Sequence, residues 1–272
     1  MPVTPRSSTG GLTGFGQDGP LAGSAGHNIN FVALTGQLGG AGDADDPPVP
    51  PANSLGDFAG GSMFLAVGVL AALLEARASG KGQVIDAAMI DGASYLGSLT
   101  RGMADAARRP GQRDRGGSPN YGCYRCADGR YVAVAAVEPK FWAALVRLLG
   151  DEPENVPSPY DRGDREQCRR YLTEAFGRKT RDEWAEVFEG TDGCVTPVLT
   201  LAEAPGHRHN VARGGYVMVD GTAVAAPAPR FSSAGGHRVA GRSVPAGREV
   251  LVEAGFSAAE IRRLADDGVA GV

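Results

Sequence analysis

The chain has 272 residues, 42% of them hydrophobic, enough for one large domain or two small ones around a sizeable core. A formal net charge of −4 excludes a basic footprint for nucleic acid and a polybasic patch for a membrane surface. The 41 glycines and 18 prolines concentrate in residues 1 to 60 and 205 to 247, which are expected to be loop-rich.

Residues 1 to 20 contain no apolar run of the kind a secretory signal needs, so a cytoplasmic protein is expected. Gly10 to Gly16 suits the end of a strand and a glycine-rich turn, but no apolar strand and helix flank it as a dinucleotide fingerprint requires. Asn53 to Gly80 reads as a buried helix. Met63 to Leu74 is apolar throughout, which predicts cover on most sides, and the run is too short to span a bilayer. Asp57 suits the N-cap of this helix, and Gly80 its C′ position. Gln83 to Ala88 reads as a short buried strand, and Ile90 to Ala107 has helical spacing.

Arg108 to Asn120 is basic and rich in glycine and proline. It suits either a solvated linker or a contact for a phosphate-bearing ligand. A smaller α/β unit follows. Tyr121 to Cys126 and Tyr131 to Val137 flank Asp128-Gly129 as a hairpin. Pro139 opens a helix to Leu149, Gln167 to Phe176 is a second, and Thr180 with Glu183 forms a capping box for a third ending at Phe188. Cys194 to Leu199 reads as a strand, Gly215 to Pro229 as a hairpin turning at Asp220-Gly221, and Gly247 to Val269 as two short amphipathic pieces.

Four cysteines are present: Cys123, Cys126, Cys168 and Cys194. CYRC has no second close pair to complete a zinc ribbon, so ordinary thiols and no metal site are expected. His207, His209 and His237 lie in polar, glycine-rich stretches and read as solvated. No nucleophile elbow of the G-x-S-x-G type occurs. One imidazole and one carboxyl stand out by their placement. His27 lies in a loop able to fold back toward Asp57, at the positive end of the long helix. A base and an acid there suit proton transfer at an acidic carbon, with the helix dipole stabilising an anion. Read alone, Asp57 equally suits a plain helix cap, and His27 an ordinary loop histidine.

Three long stretches carry a family resemblance. They are FGQDGP–LAGSAGHNINF–ALTG, PPVPPANSLGDFAGGSMFLAVGVLAALLE and GKGQVIDAAMIDGA. CADGRYVAVAAVEPKFWAALVRLLG, GCVTPVLTLAEA and REVLVEAGFSAAEI extend it over nearly the whole chain. Together they resemble the α-methylacyl-CoA racemase family, within the family III CoA-transferase superfamily. The resemblance implies an α/β fold. Residues 1–112 would be a partial Rossmann-like large domain with the His/Asp segment, 113–200 a small α+β domain, and 201–272 a return to the large domain. Family members begin with a Rossmann-like half that carries much of the CoA-binding surface. Its match is lacking here, so the resemblance implies either a start placed too late or an N-terminally truncated relative. Such a form is expected to expose the apolar faces of the Phe64 to Leu74 helix and of the Gln83 to Ala88 strand.

The resemblance also implies a reaction, inversion of the α-carbon of a 2-methylacyl-CoA thioester through an enolate. His27 and Asp57 would be the two acid/base groups, and Glu138 the carboxylate that orients the histidine. Asn53, Gly56 and Phe31 would lie at the substrate. The enolate would sit by the backbone N–H groups around Asp57. Phe31 stands where the family often has tyrosine, and Asn28 where it often has aspartate. Acyl-CoA would be the substrate with no cofactor, and the protein an interlocked homodimer with neither nucleic acid nor membrane as partner. Two rivals follow from the same resemblance: a CoA-transferase with Asp57 as nucleophile, and an inactive truncated homologue.

Overall fold

The computed structural model describes residues 7–40, 47–50, 54–106, 117–161, 163–232 and 247–269. These are mixed helices and sheets in two compact units. One comprises Met1–Gly122, Ala135–Trp142 and Asp151–Leu172; the other comprises Cys123–Val134, Ala143–Gly150 and Thr173–Val272.

In the first unit, β1 (Thr9–Thr13) runs parallel to β2 (Val84–Ala88), with Thr9 opposite Val84 and Thr13 opposite Ala88. Parallel neighbours need a crossover, and the chain between them provides helices: α1 (Asn28–Leu34), a π-helical turn (Ser54–Ser62) and α2 (Met63–Ser79). Gly80 ends α2 at φ 74°, where a left-handed residue lets its N–H reach the Ala76 carbonyl. Two helices follow β2, α3 (Met89–Leu96) and α4 (Ser98–Ala106), where the spacing predicts one. They part at Gly97. The Gln37 carboxamide packs there, close to where a side chain on Gly97 would stand, and donates to the Ala93 carbonyl at 2.6 Å.

The expectation that α2 is covered on most sides is overturned. Only Ala72 is buried, while Val67, Leu70 and Leu74 are each more than 60% exposed. The reason is geometric. Neighbouring strands lie about 4.8 Å apart, so a two-stranded pair is narrower than a helix with its side chains, about 10 Å across. It covers one face: Leu65 and Val69 rest where a Cβ on Gly10 would stand, and Gly68 faces Ile85. Val84 on β2 is exposed as well. The length expectation also changes. The π-helical turn continues into α2, so Ser54–Ser79 makes one helix of 26 residues holding an 18-residue stretch of mean hydropathy 1.8, long and apolar enough to cross a bilayer. Core helices of water-soluble folds meet the same two criteria.

In the second unit, β3 (Tyr121–Arg125), β4 (Tyr131–Ala135) and β5 (Val195–Pro197) form a sheet in that order, with β5 antiparallel to β4. The β3–β4 turn falls on Asp128-Gly129 as expected. Gly129 has φ 79°, and the Asp128 carboxylate accepts from the Arg130 N–H. Its helical parts are the stretch of α5 (Pro139–Leu149) from Ala143 on, the end of α6 (Arg165–Phe176) from Thr173 on, and α7 (Arg181–Phe188). The predicted capping box on α7 is formed: the Glu183 carboxylate accepts from the Thr180 N–H at 2.7 Å. Alternation along β4 buries Val132 and Val134 with Leu145 and Val146 of α5. An aromatic cluster fills the rest. Phe176 stacks on Tyr124 at 5.5 Å and meets Trp184 edge-on, and the Trp184 indole N–H donates to the Phe176 carbonyl.

Beyond β5 come α8 (Arg208–Ala212) and the hairpin of β6 (Tyr216–Val219) and β7 (Thr222–Ala225). It turns at Asp220-Gly221, both at positive φ, as the two-residue loop demands. The last helices are α9 (Gly247–Glu253) and α10 (Ala258–Asp266). A capping box on α10, between Ser257 and Glu260, is written in SAAE but only the structure makes it evident.

An ionic clasp also ties α7 to the segment after β5. Buried Arg181 forks onto both Glu203 oxygens at 2.9 and 3.0 Å and donates to the Val198 carbonyl. Hydrogen bonds from Arg181, then from Thr200, pull the Glu203 carboxyl down to about 2. A carboxyl depressed on folding stabilises the fold above its ordinary value of 4.5, and that contribution is lost as the pH falls from there toward 2. Thermal melts between pH 6 and pH 2.5 test this. Glu203→Gln is expected to lower the wild-type melting temperature at pH 6 and to flatten its decline below pH 4.5.

Candidate functional site

His27 is the residue before the first turn of α1, in an extended conformation (φ −130°, ψ 173°). Its N–H donates to the Asn30 side chain at 3.0 Å. The preceding residue must be glycine, because a Cβ on Gly26 would lie 2.9 Å from both the Phe15 and Phe31 rings. Those rings meet edge-on, 4.9 Å between centroids, and form the platform on which the loop lies. The imidazole is exposed.

Asp57 occupies the first turn of the continuous Ser54–Ser79 helix, not a cap position before Met63. Its side chain is half-buried. The turn is wide, and the Ser62 hydroxyl donates to the Asp57 carbonyl five residues back at 3.0 Å. Glycines seat it. Gly60 lies so near the Ala93 N–H that a Cβ would approach to 2.6 Å, and a Cβ on Gly92 would collide with the Gly60 carbonyl. Backbone meets backbone where α3 crosses this turn.

The histidine and aspartate segments are joined by the neighbour of the histidine. Asn28 is 4% exposed, and its side-chain oxygen accepts from the N–H groups of Gly56 (2.7 Å) and Asp57 (3.3 Å). A Cβ on Gly56 would stand 2.5 Å from that oxygen, so the contact requires glycine there. Sequence reasoning noted Asn28 only as a departure from the family pattern. Its signal was a short side chain with an acceptor, one residue after the histidine, opposite the Gly56-Asp57 pair.

This clasp corrects one expectation. The N–H groups of Gly56 and Asp57 are taken by Asn28 and are not open to an enolate oxygen in this conformation. Phe31 also differs from a ligand-facing residue. Its ring is 4% exposed and supports the loop from beneath, because Gly14 and Gly26 bring backbone onto it. Glu138 is exposed, and its carbonyl accepts from the Phe141 and Trp142 N–H groups at the start of α5. Among the described residues its carboxylate forms no hydrogen bond or ion pair with His27. The Tyr160 hydroxyl donates to the adjacent Val137 carbonyl at 3.1 Å; burial, then the Glu138 charge, pushes that hydroxyl up. Asn53 and most of the basic Arg108 to Asn120 stretch lie outside the described residues.

An apolar groove of about 470 Å³ lined by Leu12, Ser62, Leu65, Ala66, Val69 and Leu70 runs along α2, beginning one turn beyond Asp57. The four cysteines are not joined in disulfides, and burial pushes Cys168 up to about 12, which leaves it inert. Among the described residues no group of histidine, cysteine and acidic side chains is arranged to hold a metal ion.

Set beside known proteins, residues 5–248 match the model of CoA-transferase family III. The α-methylacyl-CoA racemase of Mus musculus is 41% identical over 267 residues, 95% of this chain and 70% of that protein. The human α-methylacyl-CoA racemase is 39% identical, over 97% of this chain and 72% of its own length. A CAIB/BAIF family protein from Brucella suis has the same fold, with a TM-score of 0.69 at 25% identity, over 85% of this chain and 63% of that one. The chain belongs to CoA-transferase family III and has that family's α/β fold. Relatives named for a particular CoA transfer are more distant, at 28% and 26% identity.

The seating of the Asp57 turn on α3 is open to test. Gly92→Ala is expected to cost about 2 kcal/mol, because the added methyl must push the Gly60 backbone away. Urea denaturation of the two chains reads this directly, and an unchanged midpoint would rule out the tight backbone contact.

Proposed function

We propose that this protein is an isomerase that interconverts (R)- and (S)-2-methylacyl-CoA thioesters. The observation that carries the reading is the shared Asn28 oxygen, which ties the histidine loop to the amide of Asp57. Identity of about 40% with two racemases points to the same chemistry.

The thioester carbonyl makes its α-hydrogen weakly acidic. Neutral His27 removes that proton on one face, and the electron pair moves onto the thioester oxygen as an enolate. Protonated Asp57 returns a proton to the other face, and the carbonyl re-forms with inverted configuration. The reverse direction starts from the opposite protonation states. With the Gly56 and Asp57 amides occupied, the enolate oxygen is assigned to the backbone N–H groups that open α1 beside His27. Glu138 is assigned to orient His27, which requires it to approach closer than in the present conformation. Asn53 and Gly56 are assigned to the thioester side of the site.

The reaction needs no redox group and no metal, and acyl-CoA is substrate, not cofactor. We assign the protein to the cytoplasm, to lipid metabolism and to a homodimer. The exposed apolar face of α2 fits a second chain or domain, and Asp57 within the helix favours a protein environment over a bilayer.

Deuterium incorporation at the α-carbon in D2O tests the roles. His27→Ala and Asp57→Asn are each expected to slow exchange at least ~100-fold. Wild-type exchange in either variant would overturn the assignment. If hydroxylamine traps an acyl-enzyme on Asp57 instead, the chain is a CoA-transferase.

A further inference from the structure

We propose that Asn28 is the positioning residue of the His27–Asp57 pair. One buried carboxamide oxygen, shared by two backbone amides, sets where the Asp57 turn stands relative to the imidazole. The inference rests on the racemase reading and adds a residue that contributes no proton of its own.

The route from the histidine to the carboxyl segment is short and stiff. It runs through one Cα–Cα step of about 3.8 Å, one asparagine side chain and hydrogen bonds of 2.7 and 3.3 Å. The side chain has little freedom, being 4% exposed. Its backbone belongs to α1, which is anchored by its own buried Phe31 against the Phe15 ring. The partner turn is equally constrained, because Gly60 and Gly92 put its backbone against α3. Between two seated elements, the Asn28 oxygen is the polar link. Both amides lie in the first turn of the long helix, whose leading N–H groups have no carbonyl within the helix to meet them.

The link needs an acceptor of this shape and nothing more. Aspartate has the same shape and offers the same oxygen. Leucine has the same branching and offers none, so it leaves two amides unpaired. Alanine at Gly56 leaves Asn28 intact but puts a methyl where the oxygen stands. A side chain that served only to fill space would rank these variants by volume. A positioning acceptor ranks them by whether the oxygen reaches the amides.

The full chain carries two independent readouts. Amide hydrogen exchange across residues 54–62 reports the link, and α-proton exchange of a 2-methylacyl-CoA reports its consequence. Asn28→Asp is expected to keep wild-type amide protection and to stay within about threefold of wild-type turnover. Asn28→Leu and Gly56→Ala are expected to lose that protection and about 100-fold in kcat, with KM within about threefold, as a displaced catalytic pair requires. Wild-type protection and turnover in Asn28→Leu, or an Asn28→Asp variant as poor as Asn28→Leu, would overturn the proposal. If Asn28→Leu does not fold, Gly56→Ala decides by the same two measures. A wild-type chain that exchanges no α-proton would sink the racemase reading, and amide protection would still decide the link.

Discussion

Two hydrogen bonds to one side-chain oxygen hold the described site together. The amides of Gly56 and Asp57 open a helix and must find acceptors outside it. Asn28 provides one oxygen for both. Around that point glycines admit backbone where side chains would stand: Gly26 on the phenylalanine platform, Gly56 beneath the asparagine, Gly60 and Gly92 between the turn and α3. A wide helical turn results, with a carboxyl near its start and an imidazole one residue from the clasp. Proton transfer across a thioester's α-carbon needs two such groups held at a set separation.

The long helix serves two ends. Its first turn builds the site, and its later turns build a core that the described residues only partly provide. Leu65 and Val69 rest on the β1–β2 pair, while Val67, Leu70 and Leu74 are largely exposed to solvent. The second unit is different in kind. Its sheet, helical segments and aromatic cluster bury Val132, Val134, Phe176, Trp184 and Phe188, and the Arg181–Glu203 clasp ties its chain together. The first unit is apolar and open where the second is closed.

Legibility in the amino-acid order tracked the range of the interaction. The turns at Asp128-Gly129 and Asp220-Gly221, the Thr180 capping box, the Pro139 start of α5 and the Gly80 end of α2 are all local. Each depends on residues within a few positions, and each was read from the sequence. The α1 helix was missed, because a seven-residue segment after a glycine-rich loop shows too few turns for a period. The break at Gly97 was missed as well, since it depends on Gln37, which lies 60 positions earlier.

By itself the sequence determined the fold class, the membership of CoA-transferase family III, and the chemical types available to the site, His27, Asp57 and Glu138. Those follow from residue identity and from motifs long enough to be specific. Only the tertiary structure decided that Asp57 lies inside a wide turn, that its amide is taken by Asn28, that Phe31 supports the loop from below, and that α2 is covered on one face. These depend on which atoms meet between separate parts of the chain, Asn28 with Gly56 and Phe31 with Phe15 among them. Hydrogen-bond partners and solvent cover are properties of that meeting and are not written in any local pattern.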